Sequence, residues 1–234
     1  GLEPSMPRVL HRGDAAGYIQ PFDWSHDGGS ILCWMRSFEG PGRIGLISVE
    51  DGSLRILKSG VPYPVNMSLS PDGRFVVYDM VSDGEAPQDD IFLLAIAGDR
   101  EAALVVHPAN DYGPSWTPTG DQVLFFSDRS GASATWLQDV VDGQAQGKPA
   151  LVQQNMERIG PMGFTQDGSF FHAFGLSTSP DLGDVYVAEL DDATGNVLEP
   201  TALPQSFEGS NACPVWSPSG EYLAYVSVRG RWRR

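Results

Sequence analysis

Cysteine, histidine and basic side chains are scarce in this chain of 234 residues. It has two cysteines and four histidines, and 15 Lys and Arg stand against 30 Asp and Glu, which gives a formal charge of −15. Two cysteines are too few for a disulfide framework, so we expect Cys33 and Cys213 to be free, buried thiols. The histidines lack metal-ligand spacing, and we expect no metal and no cofactor. The acidic charge disfavours a nucleic-acid partner, because phosphates have to be met by clustered Lys and Arg.

Long apolar runs and catalytic motifs are also missing. No 18 consecutive residues are apolar, so we expect no membrane insertion, and the first residues do not resemble a signal peptide. There is no Gly-x-Ser-x-Gly sequence, the turn that carries the nucleophile of an α/β-hydrolase. We therefore expect this segment to be non-enzymatic.

What the chain does contain is a turn that recurs five times. The copies are Trp24-Ser25-His26-Asp27-Gly28, Leu69-Ser70-Pro71-Asp72-Gly73, Trp116-Thr117-Pro118-Thr119-Gly120, Phe164-Thr165-Gln166-Asp167-Gly168 and Trp216-Ser217-Pro218-Ser219-Gly220. Their glycines are 45 to 52 residues apart, a period typical of four-stranded propeller blades. A second turn, such as Asp51-Gly52, follows each of the first four copies. Two hairpins per repeat predict four strands per repeat.

A dense apolar run follows each recurring turn. Phe75-Val76-Val77-Tyr78 and Val123-Leu124-Phe125-Phe126 are apolar at every position, which predicts strands buried on both faces. Blades stacked side by side around an axis bury their middle strands in this way. The large residue that opens each turn is expected to pack as a wedge between blades. These wedge residues are Trp24, Leu69, Trp116, Phe164 and Trp216.

The repeats predict a single all-β domain over residues 1–234. We expect a β-propeller of four-stranded antiparallel blades, with repeats at about 18–60, 61–107, 108–154, 155–204 and an incomplete 205–234, within a ring of six to eight blades. Residues 7–10 resemble Leu54-Arg55-Ile56-Leu57, which ends the first repeat, and so predict the outer strand of a preceding or closing blade. Two readings stay open. The chain is a fragment of a larger ring, or its N-terminal strand completes the last blade.

These turns and apolar strands resemble the TolB-type, WD-repeat-like β-propeller family, whose unit is a Trp-Ser-Pro-Asp-Gly turn followed by an apolar strand. The resemblance extends over about residues 18–227. It implies a bacterial interaction or docking module, periplasmic or otherwise outside the cytoplasm, or a sensory domain. The alternative that it implies is the gating propeller of a prolyl-oligopeptidase-like serine peptidase, whose hydrolase domain would lie outside this chain.

Polar residues lie in the loops that lead into the innermost strands. In a propeller these loops surround one end of the axis, which we call the channel mouth. We expect a protein or peptide partner to bind there, because a carboxylate, a guanidinium, a phenol and amides suit peptide recognition. The alternative is that these groups only satisfy the backbone of the loops. The predicted partner-binding residues are Gln20, Asn66, Asp111, Tyr112, Arg158 and Asn211.

Two polar residues replace apolar ones inside the predicted strands. Asp79 takes the place of Trp34 and Phe126, and it is expected either at a strand end that reaches water or as a polar feature for binding. His172 takes the place of Leu32 and Leu124, and it is expected either as a hydrogen-bonded core residue or as part of a polar site.

Overall fold

The computed structural model describes residues 8–12, 17–37, 40–64, 66–81, 88–97, 100–154 and 210–228, and the backbone of six short strands between residues 160 and 202. All regular elements in these ranges are β-strands. Accordingly, the described part of the chain has no helix that is long and apolar enough to cross a membrane.

Three four-stranded antiparallel sheets make up the first two thirds of the chain, and in each sheet the strands follow one another in chain order. Blade 1 consists of β1 (Tyr18–Trp24), β2 (Ser30–Arg36), β3 (Arg43–Ser48) and β4 (Leu54–Ser59). Blade 2 consists of β5 (Met67–Leu69), β6 (Phe75–Val81), β7 (Asp89–Ala95) and β8 (Glu101–Val105). Blade 3 consists of β9 (Asp111–Trp116), β10 (Gln122–Ser127), β11 (Ala134–Val141) and β12 (Gln144–Gln153).

Shorter antiparallel pairs follow in the last third. In the fourth repeat, β13 (Gly160–Phe164) pairs with β14 (Phe170–Ala173), β15 (Tyr186–Val187) with β18 (Thr201–Ala202), and β16 (Leu190–Asp191) with β17 (Asn196–Val197). In the fifth repeat, β19 (Ser210–Trp216) pairs with β20 (Leu223–Val228). We call this last hairpin blade 5.

The recurring turn owes its shape to a hydroxyl, a second polar side chain two residues later and a glycine. At the second copy, the amide of Ser70 donates to the carbonyl of Phe75 at 2.9 Å, and the Ser70 hydroxyl donates to Asp72 at 2.6 Å. Asp72 also accepts the amide of Arg74 at 3.0 Å, while Gly73 has a φ of 69° that an L side chain rarely adopts. This is why a short polar sequence ending in glycine joins the first two strands.

The second strand of each blade is buried on both faces, as its apolar run predicts. All residues of β10 after Gln122 are buried, and β2 and β6 are buried over five consecutive positions, whereas the outer strand β12 is almost entirely exposed. The apolar core therefore lies between blades. One cluster joins blades 1 and 2 through residues such as Leu32 and Val76, and another joins blades 2 and 3 through Val77 and Phe125.

The wedge prediction is confirmed at two positions and wrong at one. Leu69 lies in the cluster between blades 1 and 2, and Trp116 lies in the cluster between blades 2 and 3. Trp216, by contrast, is 45% exposed. Leu69 and Trp116 are thus each buried against the blade that precedes them in the chain. Trp24 of blade 1 is also buried, at 8% exposed, but lies in neither cluster. The side chain of Phe164 is outside the described residues.

The innermost strands follow one another around the axis. β1 packs beside β5, β5 beside β9 and β9 beside β13, while β19 and β20 pack beside β1. Blade 5 consequently lies next to blade 1. The number of blades in a complete ring stays a prediction.

Candidate binding site at the channel mouth

The loops that lead into the innermost strands lie together at one end of the blades. Because the strands alternate in direction, the loops before β5 and β9 lie at the same end as the loops between the second and third strands. The recurring turns lie at the opposite end. The first set of loops forms the channel mouth.

Two tyrosines share one hydrogen-bond acceptor at the channel mouth. Oε1 of Gln20 accepts the phenol proton of Tyr18 at 2.6 Å and that of Tyr63 at 2.5 Å. Tyr18 and Gln20 lie two residues apart on β1 and so point to the same face of blade 1. Tyr63 comes from the loop that leads into β5. The group Tyr18, Gln20 and Tyr63, which we call the tyrosine pair site, therefore bridges the junction of blades 1 and 2.

A buried tryptophan supports both phenol rings. The ring of Trp34 is 6.1 Å from that of Tyr18 and 5.0 Å from that of Tyr63, with interplanar angles of 61° and 85°. These are edge-to-face contacts, the arrangement that aromatic quadrupoles favour. Nε1 of Trp34 donates to the carbonyl of Val61 at 3.1 Å and so anchors the loop that carries Tyr63. The buried Trp34 ring therefore holds the two exposed phenol rings in place.

The phenols stay protonated over the physiological pH range. Partial burial raises the pKa of Tyr18 and of Tyr63, and in Tyr18 the neighbouring Cys213 and Tyr63 raise it further. Burial also raises the pKa of the Cys213 thiol, while a hydrogen bond with Tyr18 lowers it. Cys213 lies on β19, so blade 5 contributes to the same side of the channel mouth.

Asn66, which is also predicted for partner binding, takes part in the contact between blades 2 and 3. Its amide donates to Oδ1 of Asp79 at 3.1 Å, and its Nδ2 donates to the carbonyl of Pro114 at 3.2 Å. Oδ2 of Asp79 accepts the amide of Gly113 at 2.7 Å. Asp79 is only 1% exposed, so the expectation that it reaches water is wrong. Its carboxylate lies between blades 2 and 3 and accepts a backbone amide from each of them, which compensates for its burial.

Asp111 and Tyr112 are held within blade 3. Asp111 is fully buried, and its Oδ1 accepts Nη2 of Arg129 at 2.7 Å. Burial raises the pKa of Asp111, which Ser127 and Arg129 partly offset. The Tyr112 hydroxyl is 2.9 Å from Oγ of Ser133. Partner binding by Asn66, Asp111 and Tyr112 stays a prediction.

Three further residues lie outside the described side chains. These are Arg158, His172 and Asn211, although the backbone of Asn211 pairs with Ser227 in the β19–β20 hairpin. In the part of the chain that the structure describes, no three His, Cys, Asp or Glu residues are grouped so that they could hold a metal ion.

The sequence-based prediction named Gln20 but missed the two tyrosines around it. The strand period predicts Tyr18 beside Gln20, because residues two apart on a strand share a face. Tyr63 lies in Val61-Pro62-Tyr63-Pro64, a loop that leads into an innermost strand, and only the fold places it against Gln20.

Comparison with known proteins agrees with the propeller architecture. No protein-family model matches the chain. Among solved structures, TolB from Acinetobacter baumannii has a TM-score of 0.53 and 22% identity, over 91% of this chain and 49% of that one. A nidogen–laminin complex contains a chain with a TM-score of 0.54 and 14% identity, over 79% of this chain and 80% of that one. A prolyl endopeptidase has a TM-score of 0.51 and 11% identity, over 92% of this chain and 43% of that one.

These similarities confirm the fold class. The chain is an all-β propeller scaffold, and its resemblance to TolB-type propellers is confirmed at the level of the fold. It spans about half the length of the TolB chain that it matches. At such identities the fold is shared by proteins with different activities, so function has to be argued from the site.

Proposed function

We propose that this chain is a non-catalytic propeller that binds an extended peptide or protein segment at the channel mouth. The observation that carries the proposal is the tyrosine pair site, in which two exposed phenol rings converge on one amide above a buried indole. Tyrosine and tryptophan are enriched at protein interfaces because they offer a large apolar surface together with a polar tip.

The chemistry of the tyrosine pair site suits a peptide backbone. A glutamine amide carries two N–H donors, and each phenol oxygen keeps lone pairs after it has donated its proton to Gln20. The site can thus both donate to and accept from the amides of an extended segment, while the ring faces pack against its side chains. Because Trp34 holds the rings in place, little side-chain entropy is lost on binding.

A peptide-binding measurement with two tyrosine variants tests the proposal. Peptides selected against the purified chain from a random display library are titrated against wild type, Tyr63→Ala and Tyr222→Ala. Tyr63 is 51% exposed and lies at the channel mouth, whereas Tyr222 is 62% exposed and lies near the recurring turn at the opposite end. We expect Tyr63→Ala to weaken binding by about tenfold or more, as for a central aromatic contact, and Tyr222→Ala to leave it unchanged.

The proposal fails if the library yields no binder, or if both variants bind the selected peptides as tightly as wild type does. Equal losses in Tyr63→Ala and Tyr222→Ala would also contradict it, because the effect would then not be specific to the channel mouth.

A second candidate function is the gating propeller of a serine peptidase. The similarity to a prolyl endopeptidase over 92% of this chain and 43% of that one favours it. The genomic sequence downstream of Arg234 tests this candidate. An α/β-hydrolase domain with its Ser, Asp and His would support it, and further blades without such a domain would contradict it. Under either function we expect the purified chain to hydrolyse no peptide or ester substrate, and turnover that a point mutation in this chain abolishes would overturn that expectation.

A further inference from the structure

Arg36 lies beside the tyrosine pair site on the same face of blade 1. It ends β2, and it is paired with Tyr18 across the first two strands of the blade. Trp34 is paired with Gln20 in the same way. Directly opposed residues of an antiparallel pair project their side chains to one face, with Cβ atoms about 5 Å apart. The guanidinium of Arg36 therefore shares a surface of the channel mouth with the Gln20 amide and the phenol of Tyr18.

The Arg36 guanidinium has no hydrogen-bond or ion-pair partner among the residues that the structure describes. Other arginines of the blades do have partners. Nη2 of Arg55 donates to the carbonyl of Ile96 at 2.7 Å, and Nη2 of Arg129 donates to Asp111 at 2.7 Å. Arg36 is exposed, and a guanidinium carries five N–H donors in a planar fork that fits a carboxylate. These donors are thus available to a binding partner.

The hydrogen bonds within the tyrosine pair site orient further donors toward the same surface. Because both phenols donate their protons to Oε1 of Gln20, the two lone pairs of that oxygen are occupied. Nε2 of the same amide carries two N–H groups, for which the described residues supply no acceptor. Gln20 and Arg36 together therefore present free N–H donors next to the exposed phenol rings.

The acidic charge of the chain does not prevent a carboxylate from binding at this surface. Two carboxylates of the channel mouth are already engaged, since Asp79 accepts two backbone amides and Asp111 pairs with Arg129. The formal charge of −15 repels an acidic partner at long range, but at physiological ionic strength this repulsion is screened over about 8 Å. Charge-assisted hydrogen bonds act at short range, where they are stronger than neutral ones.

We propose that the channel mouth binds an acidic side chain of its peptide partner, with Arg36 and Gln20 donating to the carboxylate while the phenol rings pack against the neighbouring residues of the peptide. This inference rests on the proposed function, because it specifies the partner of the same site. The carboxylate is that of an Asp or Glu within an extended segment. A chain-terminal carboxylate is captured by successive backbone amides, whereas Arg36 and Gln20 offer side-chain donors.

A double-mutant cycle between the chain and its peptides tests the proposal. The peptides are those that bind the purified chain and depend on Tyr63, made with an amidated C-terminus and with each acidic residue replaced in turn by its amide. They are titrated against wild type, Arg36→Gln and Arg100→Gln. Arg100 is the matched control, because it is also exposed and its substitution changes the net charge equally. It lies between β7 and β8, at the end of the blades that carries the recurring turns.

The expected result is that one acidic residue of the peptide and Arg36 depend on each other. Replacing that residue by its amide should weaken binding to wild type and to Arg100→Gln by about tenfold, and binding to Arg36→Gln by less than about twofold. Arg36→Gln should weaken binding of the unmodified peptide by about tenfold. Arg36→Lys should weaken it less, because lysine keeps the charge and loses the planar fork.

Tyr63-dependent peptides that lack an acidic residue, or that bind Arg36→Gln as tightly as wild type, would overturn this inference and leave the proposed function standing. A library without any Tyr63-dependent binder would overturn both. Loss of binding on amidation of the C-terminus would assign the carboxylate to the chain terminus and contradict the inference, as would the same loss in Arg100→Gln as in Arg36→Gln. Far-UV circular dichroism checks the fold. If Arg36→Gln does not fold, Arg36→Met takes its place on the same criteria.

Discussion

Trp116 of blade 3 and Trp216 of blade 5 open the same turn but differ in burial. In both, the residue after the tryptophan closes the turn with its backbone amide, from Thr117 to Gln122 at 3.0 Å and from Ser217 to Tyr222 at 2.9 Å. Yet Trp116 is 5% exposed and Trp216 is 45% exposed. Two hairpins with the same local hydrogen bonds therefore place their tryptophans in different surroundings.

The difference shows that the shape of the turn and the burial of the wedge residue have separate causes. The turn depends on a short stretch of sequence, in which a hydroxyl and a glycine fix the backbone. The burial of the wedge depends on the neighbouring blade, and Trp116 has Phe75, Leu93 and Val105 of blade 2 around it. In a repeat array, stability is shared between the repeats and their interfaces, so the same residue can contribute differently in each copy.

The largest expected effect is that of alanine at Trp116, for which Trp216 is the comparison. Trp116→Ala should lower the free energy of unfolding by about 3–5 kcal/mol, as for other large aromatic residues truncated in a core. Trp216→Ala should lower it by less than about 1 kcal/mol, because nearly half of its surface is already in water. Urea denaturation followed by circular dichroism measures both. Equal losses would mean that the turn, and not the interface, determines the contribution of the tryptophan.

A smaller effect is expected at the buried carboxylate that joins blades 2 and 3. Asp79→Ala leaves the amides of Asn66 and Gly113 without their acceptor and should cost about 2–3 kcal/mol. Asp142→Asn is the control, since Asp142 forms an exposed ion pair with Arg74 that is worth about 0–1 kcal/mol. Urea midpoints compare the two variants. A loss for Asp79→Ala no larger than for the control would show that water replaces the carboxylate at this interface.

Local features of this fold and the apolar packing between blades were largely predictable from the sequence, whereas the polar contacts between blades were not. The turns, the four-strand repeat and the doubly buried second strands all follow from glycine spacing and unbroken apolar runs. From the sequence, Asp79 is expected either near water or as a polar feature for binding, since a single repeat does not reveal that Gly113 of the next blade donates to it. Gln20 is predicted from the sequence in a loop at the channel mouth and lies at the start of β1, but its partner Tyr63 comes from the loop before β5. Contacts across repeats depend on how the blades stack, and the spacing of the repeats in the sequence does not determine that stacking.

The first two interfaces between blades use different acceptors at one repeat position. Oδ2 of Asp23, which precedes the wedge of blade 1, accepts the amide of Leu69 in blade 2 at 2.7 Å. Oγ of Ser68, which precedes the wedge of blade 2, is 3.4 Å from the amide of Trp116 in blade 3. The hydroxyl is neutral at every pH, whereas the carboxylate can take up a proton. The stability of the interface between blades 1 and 2 should therefore depend on pH through Asp23. The equivalent contact between blades 2 and 3 is made by Ser68 and should not depend on pH.

The pH dependence of stability tests this difference. Burial raises the pKa of Asp23 from 3.8 to about 6, although hydrogen bonds from Leu69, Trp24 and Ser68 oppose the rise. Folded Asp23 thus takes up its proton below about pH 6, and the unfolded chain does so only near 3.8. On acidification from pH 7 to pH 4 this residue should add stability, by about 1–2 kcal/mol because Asp23 keeps some access to solvent.

The quantity to measure is the free energy of unfolding of wild type minus that of Asp23→Ser, the residue found at position 68, at each pH. Subtraction is necessary because carboxylates such as Asp51, whose pKa is lowered by hydrogen bonds from Ser53, lose stabilising contacts as the pH falls. The difference should rise as the pH falls from 7 to 4. A difference that stays flat, or that decreases on acidification, would show that Asp23 is already hydrated in the folded chain, and the interfaces of blades 1 and 2 and of blades 2 and 3 would then be electrostatically alike at this position.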